Sequence, residues 1–113
     1  MPGLPEPLVI LECPDHGIPG KVWDGGLILA EFLAAHPEWV QGKKVLEVGS
    51  GTGLSGIAAA CSGARAVILT DLPDHVPILA ANAAASLGAV SAARARLGIE
   101  ESEGTDGVLC SNL

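Results

Sequence analysis

Positive charge is scarce in this chain. Six Lys and Arg stand against 13 Asp and Glu, a formal net charge of −7 over 113 residues. That balance excludes non-specific binding to nucleic acid or to an anionic membrane surface, both of which need a basic face. Charge of either sign is sparse at 17%, yet hydrophobic residues reach 49%, so the chain reads as a globular domain and not as a disordered one. Cysteine is limited to Cys13, Cys61 and Cys110, an odd number widely spread. This excludes a disulfide framework and fits reduced thiols in an intracellular protein. Long apolar runs are missing too. The opening "MPGLPEPLVILECPDHG" has no basic n-region and only "LVIL" as an apolar core, unlike a signal peptide. The longest apolar-rich stretch, "GGLILAEFLAA", is broken by Glu31 and is too short to span a membrane. The expectation is a cytoplasmic protein, with the nucleus as the alternative location. Internal repeats are absent, and the length allows at most one ordinary domain.

What is present is punctuation and short apolar segments. Prolines and glycines crowd residues 1–21, an irregular lead-in whose "LVILE" is a candidate short edge strand. Asp24 then precedes "GGLILAEFLAA", where Leu27, Ala30, Leu33 and Ala34 share one helical face. A helix is expected here, with Asp24 as its N-cap and His36-Pro37 as its stop. A strand is expected at 44–48, then an alanine-rich helix closing at Gly63. "AVILTD" reads as a second strand covered on both faces. A helix from Pro73 or Asp74 to Gly88 follows, with Pro77 in its first turn. The alternation is that of an α/β, parallel-sheet βαβ fold. "AVSAARARLGI" fits either a helix or a weak strand, "EESEGTDG" is an acidic loop, and "VLCSNL" is strand-like.

The chemistry concentrates in "VLEVGSGTGLSG", residues 45–56. Strand, closely spaced glycines and helix start form a loop whose bare backbone lets a ligand approach N–H groups. Asp71 ends the next strand about 20 residues after Gly51, where a carboxylate meets the hydroxyls of an adenosine ribose. "GTGLSG" also satisfies the G-x-G-x-x-G pattern of dinucleotide binders, so NAD fits this far. Glu47 separates the two cases. A carboxylate within an apolar strand is costly unless something pairs with it. It repels a pyrophosphate and favours a cationic ligand such as S-adenosylmethionine, which carries a sulfonium and an ammonium group.

Other polar residues read as ordinary. Cys13 and His16 have C-x-x-H spacing without a second ligand pair, so no metal is expected. His36 and His75 read as surface residues at helix ends, and Asn82 as a surface or capping residue. Ser50 and Ser55 lack the G-x-S-x-G context of a hydrolase nucleophile. "RARL" is too short a basic run to imply nucleic acid.

The segment "KKVLEVGSGTGLSGIAAACSGARAVILTDLPDHVPILAAN" resembles motif I and the acidic second-strand motif of class I, seven-stranded S-adenosylmethionine-dependent methyltransferases. With the upstream "VWDGGLILAEFLAAHPEWVQG", it is similar to their protein-lysine methyltransferase-like group. The resemblance implies a Rossmann-like doubly wound parallel sheet, S-adenosylmethionine as cofactor and a lysine side chain of a protein as substrate. It implies a cofactor set of Trp23 near the ligand, Gly49, Ser50 and Gly51 as the cradle and Asp71 on the ribose; Glu47, by its charge, and Gly53 and Leu72 beside these motifs are expected to complete the site. The departures lie downstream. The family's Trp-Gly pair and its substrate-side acid and tyrosine have no counterparts in this chain, which contains no tyrosine. "VLCSNL" is read as the fourth strand, which lies inside the family's sheet and is expected as an edge strand here. Residues 22–113 are therefore expected to form a partial, cofactor-binding portion of the domain, with catalytic residues unassigned. Two alternatives stay open at this level: an NAD-dependent oxidoreductase half-domain, and a non-catalytic remnant or interaction module.

Overall fold

The structure, a computed structural model, describes residues 8, 10–12, 22–99 and 107–112. Three parallel strands organise it. Strand β1 (Lys44–Val48) and β2 (Ala66–Asp71) run in register from Lys44 opposite Ala66 to Val48 opposite Thr70. Strand β3 (Gly107–Asn112) flanks the other side of β2, from Gly107 opposite Ala66 to Asn112 opposite Asp71. The order β1-β2-β3 puts the most apolar strand in the centre, and Val67 and Leu69 are fully buried there.

The helices are α1 (Asp24–Ala35), α2 (Leu54–Cys61), α3 (Val76–Ala85) and α4 (Leu87–Arg96), with 3-10 turns at Pro37–Trp39 and Pro73–His75. Alternation along a strand sends side chains to opposite faces. Val45, Val67 and Val108 share one face with Glu47, Leu69 and Cys110, and this face meets Ile57, Ala60, Cys61, Leu79 and Val90 of the helices. The opposite face carries Leu46, Ile68 and Leu109 in one row, with Val48 beyond. These are 65%, 40%, 65% and 66% exposed. The described helices thus build one of the two layers of a doubly wound sheet. The expectation that β2 is covered on both faces fails at Ile68, because no described helix lies over that face.

Several local expectations shift with tertiary context. Helix α1 is capped by Trp23 and not by Asp24, which lies in the first turn where a carboxylate favours the helix dipole. Its end at Ala35 before His36-Pro37 is as the sequence requires. Gly63 follows the C-cap of α2 with a φ of +102°, the conformation for which glycine is suited. The long helix expected to stop at Gly88 instead turns at Ser86, and Gly88 lies inside α4. "AVSAARARLGI" is therefore helical in its larger part, and "VLCSNL" becomes the third described strand. It enters the sheet as an edge strand, the place expected for it here, and pairs with β2.

Arg94 is the largest side chain buried almost completely. Its Nη1 donates to the carbonyls of Ala60, in the last turn of α2, and of Ala64, just beyond that helix. Those acceptors offset part of the cost of burying a cation. Burial pushes the neighbouring Cys61 thiol up to about 11, against the opposing charge of Arg94. No described strand occupies "LVILE": Leu8 and Ile10 pack on the core, while Leu11 pairs with a side chain. Cys13, His16 and "EESEGTDG" lie outside the described residues. Among the described residues, no single helix is long and apolar enough to cross a membrane, and no cluster of His, Cys, Asp or Glu is arranged to hold a metal.

Candidate functional site

At the C-terminal ends of β1 and β2 the backbone opens into a cavity of about 760 Å³. Its floor is the glycine loop between β1 and α2. Gly49 and Gly51 take φ of +72° and +57°, which carry the chain out of the strand and leave the loop backbone bare. Ser50 fixes the loop's base. Its N–H donates to Thr70 O at 2.8 Å and its Oγ accepts from Thr70 N–H at 3.1 Å, extending the ladder past the strand end. The Thr70 hydroxyl closes the same corner on Glu47 O at 2.6 Å.

Two carboxylates face this space. Asp71 is deeply committed: Oδ2 accepts Gly51 N–H at 2.8 Å, and Oδ1 accepts Leu72 N–H at 2.7 Å and pairs with His75 Nδ1 at 2.9 Å. Burial pushes its carboxyl up, but these donors outweigh that and hold it below the ordinary aspartate value. Of about four acceptor positions on a carboxylate, one is then left for an incoming hydroxyl. Glu47 is the reverse case. Burial raises its carboxyl above the usual range, the Ser50 side chain and Gly56 N–H pull it back in part, and the charge of Asp71 raises it further. Its Oε1 is buried without a hydrogen-bond partner. A carboxylate oxygen buried without a partner beside a glycine loop is one that a cationic group would relieve.

Six of the residues expected from the sequence line the cavity: Trp23, Glu47, Gly49, Ser50, Gly51 and Asp71. Gly53 and Leu72 do not. An added Cβ on Gly53, whose φ is +90°, would meet Leu79 at 2.8 Å, so that glycine serves the packing of α2 against the core. Leu72 is 55% exposed and contributes its N–H to Asp71. The structure adds residues that sequence reasoning missed. Gly25, Gly26 and Leu29 of α1 form the facing wall, tied to α2 by Ser55 Oγ donating to Gly26 O at 3.0 Å. His75 joins through its bond to Asp71 and is not a free surface residue. Its spacing of four residues from Asp71 was the available signal. Asn82 is wholly buried, where a surface or capping role was expected, because two separate backbone segments claim its amide.

A profile described as lysine methyltransferase matches residues 4–98, most of the chain. The chain belongs to this lysine methyltransferase family. Among curated relatives, it is 42% identical over 53 residues to the protein N-terminal and lysine N-methyltransferase efm7 of Neurospora crassa, covering 47% of this chain and 19% of that protein. It is 42% identical over 66 residues to protein N-lysine methyltransferase METTL21A of Danio rerio, covering 58% and 30%. It is 44% identical over 57 residues to EEF1A lysine methyltransferase 3 of Mus musculus, covering 50% and 24%. The matched segment thus spans between 19% and 30% of these relatives' own lengths. Membership in a methyltransferase family implies S-adenosylmethionine as methyl donor, and it accounts for the α/β architecture with the glycine loop at the strand ends. It also decides against an NAD-dependent oxidoreductase as the parent family.

Proposed function

We propose that this chain is the S-adenosylmethionine-binding part of a protein-lysine methyltransferase, and that the cavity over the glycine loop is its cofactor site. The observation that carries the reading is Glu47 Oε1, buried without a partner at the edge of a cradle of bare backbone. A dinucleotide would set its pyrophosphate against Glu47, whereas an amino-acid moiety with a cationic amine relieves the orphaned oxygen. The fit extends to the adenosine end. Asp71 is held ionised by its donors and keeps one acceptor position for a ribose hydroxyl.

When bound, S-adenosylmethionine would supply an electrophilic methyl group on sulfur for transfer to a lysine nitrogen, the C–S bonding pair staying with sulfur. The chain's own part is positional. Glu47 and the N–H groups of the loop hold the amino-acid end, Asp71 fixes the ribose, and Trp23 and Leu29 give an apolar wall that limits water. Proton removal from the lysine is assigned to no described residue of this cavity. Substrate recognition, by the same reading, involves a protein lysine, as the names of the relatives indicate for those enzymes.

The test is calorimetry of the 113-residue chain with S-adenosylhomocysteine and NAD side by side. Binding of S-adenosylhomocysteine at least tenfold tighter than NAD is expected from the charge argument. Equal or tighter NAD binding would overturn it.

A further inference from the structure

Asn82 lies on α3 and has no exposure to solvent. A buried amide is costly unless bonded, and this one uses both donors and one acceptor position. None of the three bonds serves its own helix. Nδ2 donates to Leu11 O and to Thr52 O, each at 2.9 Å, and Oδ1 accepts Leu11 N–H at 2.6 Å. Leu11 belongs to the lead-in, and the amide engages both of its backbone groups as a neighbouring strand would. Thr52 belongs to the glycine loop and lines the cavity. The next lead-in residue, Glu12, accepts Val22 N–H on Oε2 at 3.4 Å, and Val22 also lines the cavity. A chain of contacts thus runs from the loop through Asn82 and residues 11–12 to the wall ahead of α1.

A side chain of this size in a purely apolar role would be a leucine. The amide is explained by the two segments it joins, one of which carries the cavity floor. We infer that Asn82 is a positioning residue of the cofactor cavity, tying the lead-in at Leu11 to the glycine loop at Thr52 so that the two order together. The inference rests on the reading of this cavity as an S-adenosylmethionine site. Because coupling between sites is reciprocal, a ligand that orders the loop protects Leu11, and loss of the tie weakens the ligand.

The experiment is amide hydrogen exchange on the full chain, with and without S-adenosylhomocysteine. It compares wild type, Asn82→Ala, Asn82→Asp and a core control, Val90→Ala. In wild type, the ligand slows exchange at Leu11 N–H although that group is outside the cavity lining. Without ligand, Asn82→Ala speeds exchange at Gly53 N–H, which donates to Ser50 O within the loop, by about tenfold more than Val90→Ala at the same fractional stability. Asn82→Asp keeps the acceptor for Leu11 but turns an oxygen towards two carbonyls, so it also frees the loop. Calorimetry then shows an affinity loss of about tenfold for both Asn82 variants and little for the control. Equal loosening of the loop in Asn82→Ala and Val90→Ala would overturn the inference. So would unchanged exchange at Leu11 in a wild-type chain that binds the ligand. Absence of ligand binding by wild type would defeat the cofactor reading instead, and the ligand-free comparison would still decide the tie. Where Asn82→Ala does not fold, the wild-type measurement at Leu11 and the Asn82→Asp variant decide it.

Discussion

Gly56 offers the sharpest test of how α2 sits on the sheet. It lies one turn into the helix, over Leu69 of β2 and beside Glu47 of β1. A Cβ added there would overlap Leu69 Cδ2, stand 3.4 Å from Leu69 Cγ and 3.2 Å from Glu47 Oε1. Leu69 has no exposure, so it has nowhere to swing, and the helix must lift off the sheet instead. Overpacking of this kind costs about 1–3 kcal/mol. Alanine returns roughly 0.5–1 kcal/mol through its better helix propensity. Sterics wins, and Gly56→Ala is expected to destabilise by about 1–2 kcal/mol, lowering the melting temperature by roughly 5–15 °C for a chain of this size. The assay is a thermal melt with a urea titration. Gly25→Ala serves as control, because a Cβ at Gly25 meets nothing within 4 Å. Leu69→Val should cost stability alone and cost less, or nothing, in the Gly56→Ala background, since the pair shares one contact. A Gly56→Ala chain as stable as wild type, or additive behaviour of the two substitutions, would refute the close approach of α2 to β2.

Glu47→Gln is expected to trade affinity for stability. Burial raises the folded carboxyl above its unfolded value, so the folded chain binds more protons between those values and stability falls as pH rises through that window. Melts should show the glutamine variant more stable than wild type at pH 7.5 and equal to it at pH 4. Calorimetry should show S-adenosylmethionine weakened by about 1.5–3 kcal/mol; equal affinity would remove Glu47 from the site. Asp71 carries the opposite sign: its carboxyl is lowered, so it contributes stability above the ordinary aspartate value that is lost as pH falls through the folded one. Asp71→Asn should flatten that acid limb of the stability curve. Competition with 2′-deoxy and 3′-deoxy adenosine analogues should show discrimination only in wild type, and equal discrimination by the variant would leave Asp71 as a structural anchor alone. Replacing Leu46 and Leu109 by threonine, on the sheet face over which no described helix lies, should leave melting unchanged within about 0.5 kcal/mol per site and should lower any self-association seen in size-exclusion chromatography. A large loss of stability would mean that this face is packed.

Sequence by itself determined the elements whose signals are local. Apolar runs bounded by glycine or proline placed β1 and β2 at their observed ends, and His36-Pro37 stopped α1 because the residue before a proline avoids the helical region. The glycine loop, Glu47 and Asp71 were legible as a candidate site, and they line one cavity, because strand, loop and acid recur at a spacing fixed by one βαβ unit. Tertiary structure decided what depends on residues far apart. Asn82 resembles a surface amide until Leu11, 71 positions away, closes on it. Arg94 sits in a short basic run that gives no sign of burial, yet it lies inside, bonded to the carbonyls of Ala60 and Ala64. The polarity of a side chain states that it needs partners, and only the fold states where they are. The same holds for the terminal strand. Its composition announced a strand, but β-pairing is blind to order along the chain, and the edge of β2 left free beside α3 determined where it lies.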